Sequence, residues 1–143
     1  MHIFLSTPIS CFKNKKELLE YKNRIMPLIL ALEQHHTVCS EVKGIGSPVE
    51  YDSPTKSIKM DMDAIKKCEL FIMHYPFPIP TSALIELGFA IAFQKRIIII
   101  TPDKSKLPYL TLGIPSTIKQ SAIIEAETIN NTLIQGLLCL TSE

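Results

Sequence analysis

The stretch that decides the fold runs from Glu69-Leu-Phe-Ile-Met-His-Tyr75 through Pro76-Phe-Pro-Ile-Pro80 and Thr81-Ser-Ala-Leu-Ile-Glu-Leu-Gly-Phe-Ala-Ile-Ala-Phe93 to Arg96-Ile-Ile-Ile-Ile-Thr101. Residues 69–75 are an apolar run of strand length. Residues 96–101 are a β-branched run with polar ends, read most simply as a buried parallel strand. Pro76, Pro78 and Pro80 each remove a backbone donor, so 76–80 is a turn and not a central strand. Thr81 or Ser82 is suited to cap a helix that runs through about Gln94. Strand, turn, helix and strand in this order make a βαβ unit, whose crossover is right-handed.

Working outward, the same alternation repeats. Residues 2–6 read as a buried strand. Leu18, Leu19, Ile25, Leu28, Ile29 and Leu32 fall at helical spacing within 14–34, where Pro27 is expected to kink or split the helix. Residues 36–42 read as a second strand and 43–56 as a loop, with Gly44, Gly46, Pro48 and Pro54. Residues 57–67 read as a helix capped by Ser57. Downstream, 103–118 is irregular, 119–124 is a short strand and 127–140 a last helix. Five strands alternating with helices predict a three-layer α/β sandwich, flavodoxin/Rossmann-like, with a five-stranded parallel sheet of order 2-1-3-4-5. The 143 residues make one domain, 1–143. In that order ligands bind beyond the carboxyl ends of strands 1 and 3, at the turns 6–13 and 76–82.

Composition narrows the function. Hydrophobic residues are 46%, charged residues 20% and the formal net charge is +1, so binding of a nucleic acid polymer or an anionic membrane by bulk charge is not expected. Lys13, Lys15 and Lys16 read as a small anion patch or, more simply, as a solvated helix start. No run reaches the ~18 apolar residues that span a bilayer, and the N-terminus lacks the features of a signal peptide. A cytoplasmic location is expected. Cys11, Cys39, Cys68 and Cys139 have no CxxC spacing, and His35-His36 stands apart from other ligand types, so neither a metal nor a redox cofactor is expected.

Glu86 is the one charge within the apolar segment 83–93. A carboxylate in such a helix either reaches an edge and pairs with a lysine, or faces a cleft where amides and the helix dipole hold it ionised and able to act as a nucleophile. Gly88 is expected to allow close helix–strand packing. Asp61 and Asp63 lie about 200° apart on a helix. Either one faces the site and the other solvent, or both lie on the surface. Ser6, Thr7 and Ser10 after the first strand, and Thr81 and Ser82 at the next helix, suit a phosphate or sugar hydroxyl as well as ordinary capping. His74 ends the third strand at the rim, as a donor to substrate or as a satisfied rim histidine. No GxGxxG, P-loop or G-x-S-x-G is present.

Three segments together resemble the nucleoside 2-deoxyribosyltransferase superfamily. Ile3-Phe-Leu-Ser-Thr-Pro-Ile9 is similar to its first strand and loop. Asp61-Met-Asp-Ala-Ile-Lys-Lys-Cys-Glu-Leu-Phe-Ile72 is similar to its acidic helix and following strand. Pro80-Thr-Ser-Ala-Leu-Ile-Glu-Leu-Gly-Phe-Ala-Ile-Ala-Phe-Gln-Lys-Arg-Ile97 is similar to its most specific signature. The resemblance covers nearly the whole chain, and the length is that of the small members that hydrolyse deoxynucleoside 5′-monophosphates. It implies cleavage or transfer at an N-glycosidic bond of a (deoxy)nucleoside or nucleoside 5′-monophosphate, without a cofactor. Glu86 is the implied nucleophile and Asp61 the residue assisting the base or sugar hydroxyl. Ser6, Thr7, Ile9, Ser10, Thr81 and Ser82 are the implied contacts to phosphate or sugar. A homodimer or higher homo-oligomer is also implied, with the helices 80–94 and 127–140 as candidate interfaces. The chain departs from the nucleotide hydrolases at Ile9, where they carry arginine, at Ser6, Lys13 and Asn14, where they carry glycine, and at Val42, where some carry histidine. Those departures motivate an alternative, a non-catalytic module that binds a nucleotide-like signal. A TIR-like NAD-cleaving enzyme is a third reading that the context Ile85-Glu-Leu-Gly88 fits less well.

Overall fold

The computed structural model describes residues 1–46 and 52–142. Five parallel strands lie in the order β2-β1-β3-β4-β5, as the sequence predicts: β1 His2–Ser6, β2 Thr37–Cys39, β3 Leu70–His74, β4 Arg96–Thr101 and β5 Ala122–Glu125. The longer helices are α1 Lys15–Glu33, α2 Pro54–Lys67, α3 Ser82–Ala92 and, after the short α4 Ile114–Thr117, α5 Asn131–Thr141. Register is continuous across the middle of the sheet, where Phe4 pairs with Phe71 and Phe71 with Ile97.

Alternation along the strands builds one core on each face of the sheet. Ile3, Leu5, Leu70, Ile72, Ile98 and Ile100 pack against Leu18, Ile25, Leu28, Ile29 and Leu32 of α1 and Leu133, Ile134 and Leu137 of α5. Phe4, Phe71, Met73, Ile97 and Ile99 pack under Ile65 of α2 and Ala83, Leu87 and Ala90 of α3. Each side chain near the carboxyl end of a strand therefore belongs to one layer or the other, and this decides which groups can meet.

Several boundaries differ from the sequence reading. The helix α2 starts at Pro54, with the Ser53 hydroxyl accepting from the Lys56 N–H, so the cap is Ser53 and Ser57 lies inside the first turn. Pro54 at the first helical position loses a donor that has no partner there in any case. α1 runs unbroken through Pro27, which sits on its exposed side. β2 pairs over 37–39 only, and Glu41–Lys43 turns off the sheet edge as a 3-10 turn. α5 begins at Asn131, capped by the Asn130 side chain. Of the loop predicted over 43–56, residues 47–51 lie outside the described residues. No helix among the described residues is long and apolar enough to cross a membrane.

Candidate active site

Glu86 is positioned by the helix that carries it. The Thr81 hydroxyl accepts the Ala83 N–H and fixes the start of α3. From there Ala83, Glu86, Leu87 and Ala90 form the buried stripe of the helix, at the spacing that faces the sheet. Glu86 thus stands on the inner face of α3 and is only 7% exposed. No ion pair reaches it among the described residues. Burial pushes its carboxyl up to about 8, and the neighbouring acids Asp61 and Glu41 push in the same direction.

β1 brings a second polar group to the same place. Phe4 belongs to the α2/α3 layer, so Ser6, two residues on, points into that layer as well. Its hydroxyl lies beside Glu86 and favours the charged carboxylate. The hydroxyl is buried and stands near enough to Glu86 to stabilise its charge, although it falls short of strict hydrogen-bond geometry. A buried hydroxyl without a partner is rare in a folded protein, and here it adjoins a buried acid.

The third contributor is α2. Asp61 is half-buried and turned toward Glu86, whereas Asp63 is exposed. Asp61 lies close enough to Glu41, an exposed residue in the turn after β2, for the two carboxyls to influence each other. Burial raises both acids, and repulsion by Asp61 helps to carry Glu41 up to about 7. Three elements and a turn therefore converge on one cluster of Ser6, Asp61, Glu86 and Glu41. The cluster holds two carboxyls raised by burial, Glu86 the more strongly, with a buried hydroxyl beside them.

The other predicted site residues are distributed around this cluster. Thr81 is one turn before Glu86, and Ser82 is exposed at the first position of α3. Thr7 is buried, with its carbonyl accepting the Ile9 N–H, and Ser10 is exposed in the 3-10 turn Ile9–Cys11. Val42 is fully buried. His74 lies in the opposite layer, because Ile72, two residues before it, faces α1. Its Nδ1 is 2.7 Å from the Tyr21 hydroxyl of α1, and burial depresses it to about 4, so the ring is neutral at pH 7. A cleft of about 310 Å³ opens beside this pair, between Phe12, Tyr21, Arg24, Phe77 and Ile79. A wider depression of about 520 Å³ lies at the other end of the sheet, around His2, His36 and Glu69. Gly88 is exposed, and a side chain there would meet nothing within 4 Å, so the close packing expected of it is absent.

Glu41 and Tyr21 escaped the sequence reading. Glu41 lies two residues beyond the end of β2, next to the switch point. Its position there was a usable signal once the strand was ended at Cys39 and not at Val42. Tyr21 falls in the apolar stripe of α1 and reads from sequence as core.

No family model and no curated protein matches the chain. Solved structures similar to it include the following two. The CMP N-glycosidase BcmB of Clostridium botulinum is 30% identical, with 97% of this chain and 98% of that chain covered, at a TM-score of 0.70. A conserved protein from Enterococcus faecalis V583 is 16% identical, with 98% of this chain and 87% of that chain covered, at a TM-score of 0.56.

Proposed function

Because the chain belongs to the nucleoside 2-deoxyribosyltransferase superfamily, we propose that it cleaves the N-glycosidic bond of a nucleoside 5′-monophosphate, with Glu86 as nucleophile. The similarity to a CMP N-glycosidase over nearly the full length of both chains supports a pyrimidine ribonucleotide as the first substrate to test. The observation that carries the proposal is Glu86 itself, a carboxyl held on the buried stripe of α3 with no ion pair among the described residues and with the Ser6 hydroxyl beside it.

The reaction runs in two displacements. Glu86 reacts as its carboxylate, the form that the neighbouring Ser6 hydroxyl favours and that is reached once the carboxyl has released its proton to solvent. Its oxygen attacks C1′ and the C1′–N bond breaks, so the electron pair of that bond leaves with the base. Asp61 donates the proton that the base takes up. A glycosyl ester on Glu86 results. Water then attacks C1′, the ester oxygen leaves as carboxylate, and the proton of the water returns to Asp61; a second base in place of water makes the step a transfer. Dividing one hard displacement into two is the logic of retaining glycosidases. Ser6 Oγ donates to the sugar or to the developing charge on Glu86. Ser10, Thr81 and Ser82 receive the 5′-phosphate near the N-terminus of α3, where backbone donors and the helix dipole favour an anion. Ile9 supplies none of the charge an arginine would, so the phosphate is held by hydroxyls and amides.

The test is Glu86→Gln against CMP, dCMP, the matching nucleosides and NAD, with released base read by chromatography. Loss of at least about a thousandfold in kcat is expected, the usual scale for removing a covalent nucleophile. Undiminished release would overturn the assignment. Tight CMP binding by the wild-type chain without any released base would replace it with the nucleotide-binding module.

We also propose that the chain works as a homodimer or higher homo-oligomer through the outer faces of α2 and α3. Met60 of α2 and Ile85 and Ile91 of α3 are exposed, with Gly88 leaving room between the last two. An apolar patch of this kind marks an interface. Light scattering is expected to give a multiple of 16.1 kDa, and a monomer at micromolar concentration would refute this part.

A further inference from the structure

Phe77 is an apolar ring that neither core uses. It stands on the proline turn 76–80, half-buried, and packs into neither layer of the sheet. Its ring meets that of Phe12 edge-on, with centroids 6.3 Å apart and planes at 83°. Phe12 belongs to the other turn at this end of the sheet, the one after β1, and also rests on Tyr21 of α1 at 5.0 Å. Tyr21 in turn bonds His74, three residues before Phe77. The rings close a loop: Tyr21 to Phe12, across to Phe77, and back along the chain to His74 and Tyr21. The backbone bonds of each turn close on that turn itself. Pro76, Pro78 and Pro80 have no N–H to give, and the Ile79 N–H turns back to the Phe77 carbonyl at 2.8 Å. After β1 the N–H groups of Ile9, Cys11 and Phe12 reach the carbonyls of Thr7, Pro8 and Ile9. The edge-on pair spans the gap between the two turns. These same turns carry the hydroxyls proposed to receive the 5′-phosphate. Ser10 lies two residues before Phe12, and Thr81 and Ser82 lie four and five residues after Phe77.

Resting on the reaction proposed above, we propose that Phe12 and Phe77 are positioning residues, an aromatic latch that fixes the spacing of the two turns. Ser10 on one turn and Thr81 and Ser82 on the other then close on a single phosphate. A group that must be held from both sides binds best when both sides are already in place, because ordering them costs affinity. The latch acts on binding and not on the chemical step. Glu86 sits one turn into α3, rooted in the sheet-facing stripe with Ala83, Leu87 and Ala90. Contacts to a phosphate remote from C1′ are alike before and during bond breaking, so they set KM and leave kcat unchanged.

The test is steady-state cleavage of CMP by Phe12→Ala, Phe77→Ala and the double variant, with backbone amide exchange of the same proteins free of substrate. Each single variant is expected to raise KM by about three- to tenfold, the scale of one aromatic pair, with kcat within about twofold of wild type. Because the rings act as one latch, the double variant should raise KM no further than the stronger single one, whereas independent contacts would multiply. In the free protein, Phe77→Ala should speed exchange at Ile9 and Phe12 in the other turn, and Phe12→Ala should speed it at Ile79. Phe77→Tyr, which keeps the ring, should hold KM near wild type. Phe12→Leu and Phe77→Leu carry the same test should an alanine variant fail to fold. An unmoved KM, effects that multiply, a fall in kcat with KM unchanged, or faster exchange confined to the substituted turn would overturn the inference. The readouts separate the latch from the reaction it rests on. If Glu86→Gln still cleaves CMP, the proposed function has failed, and amide exchange still decides whether the turns are latched. If Glu86→Gln is inactive and the ring variants keep the wild-type KM, only the latch has failed.

Discussion

Two polar clusters occupy the same end of one sheet and differ in a single respect. Under α1, Tyr21 and His74 are as deeply buried as Glu86, but they satisfy each other with a 2.7 Å bond and stacked rings 5.7 Å apart, and Phe12 closes over Tyr21 at 5.0 Å. His74 resolves its burial by staying neutral, which costs nothing in pairing because a neutral imidazole still offers one donor and one acceptor. Under α3, Glu86, Asp61, Glu41 and Ser6 are gathered with no ion pair to a cation among the described residues, and the Ser6 hydroxyl stands beside Glu86 short of strict hydrogen-bond geometry. Burial of polar groups therefore does not mark the site. Between these two clusters the difference is the pairing left incomplete at Ser6, which is where the proposed substrate would supply a partner.

The largest test of this contrast is the pH dependence of stability. The Glu86 carboxyl ionises near 4.5 in the unfolded chain and at about 8 in the folded one. Below 4.5 both states hold the proton. Between those values the unfolded chain is ionised while the folded one is not, so unfolding releases a proton and stability falls as pH rises, until the loss is complete above 8. Glu86→Gln removes this slope. The variant should match wild type at pH 4 and exceed it by a few kcal/mol at pH 8, at about 1.36 kcal/mol for each unit of displacement, as read by urea denaturation. Curves that stay parallel from pH 4 to 8 would mean that Glu86 is well solvated, and the contrast between the clusters would be lost.

Tyr21→Phe probes the satisfied side. It removes one hydroxyl and leaves His74 Nδ1 buried without its partner, for which a loss of about 1–3 kcal/mol is expected. Because His74 faces α1 and Glu86 faces the opposite layer, kcat/KM should change little. A loss of activity on the scale expected for Glu86→Gln would bring His74 into the site, as the sequence reading allowed.

The sheet, its order and the inner face of α3 were legible because apolar periodicity and prolines encode them directly. Residues 69–101 contain two strands, a turn and a capped helix in a pattern that few other folds satisfy. Glu86 was legible for the same reason, as one charge against a run of apolar neighbours. What sequence could not resolve was which layer a side chain near a strand end enters. That depends on where the strand begins, and one residue of register separates His74 toward α1 from Met73 toward α3. The partners that decide each cluster lie 53 residues apart for Tyr21 and His74 and on separate elements for Glu41 and Asp61, distances over which no local pattern carries information. Gly88 failed as a packing signal because the stripe facing the sheet is set by Ala83, Glu86, Leu87 and Ala90, and Gly88 falls on the other side.

The finest test deletes a hydroxyl from the unsatisfied side, as Tyr21→Phe does from the satisfied one. Ser6→Ala removes an oxygen that makes no hydrogen bond in the folded chain. Nothing is left unpaired by its loss, and the methyl that remains sits in the same buried space. Stability should therefore hold within about 0.5 kcal/mol or rise slightly, since the desolvation cost of an unpaired buried hydroxyl disappears. The same oxygen gains its partner when a sugar or a charged Glu86 stands before it, so kcat/KM on CMP should fall by about tenfold, the scale of one neutral hydrogen bond. Two single-oxygen deletions thus give opposite readouts, stability without activity at Tyr21 and activity without stability at Ser6. A destabilised Ser6→Ala with unchanged kcat/KM would make the two clusters alike and remove the argument that incomplete pairing marks the site.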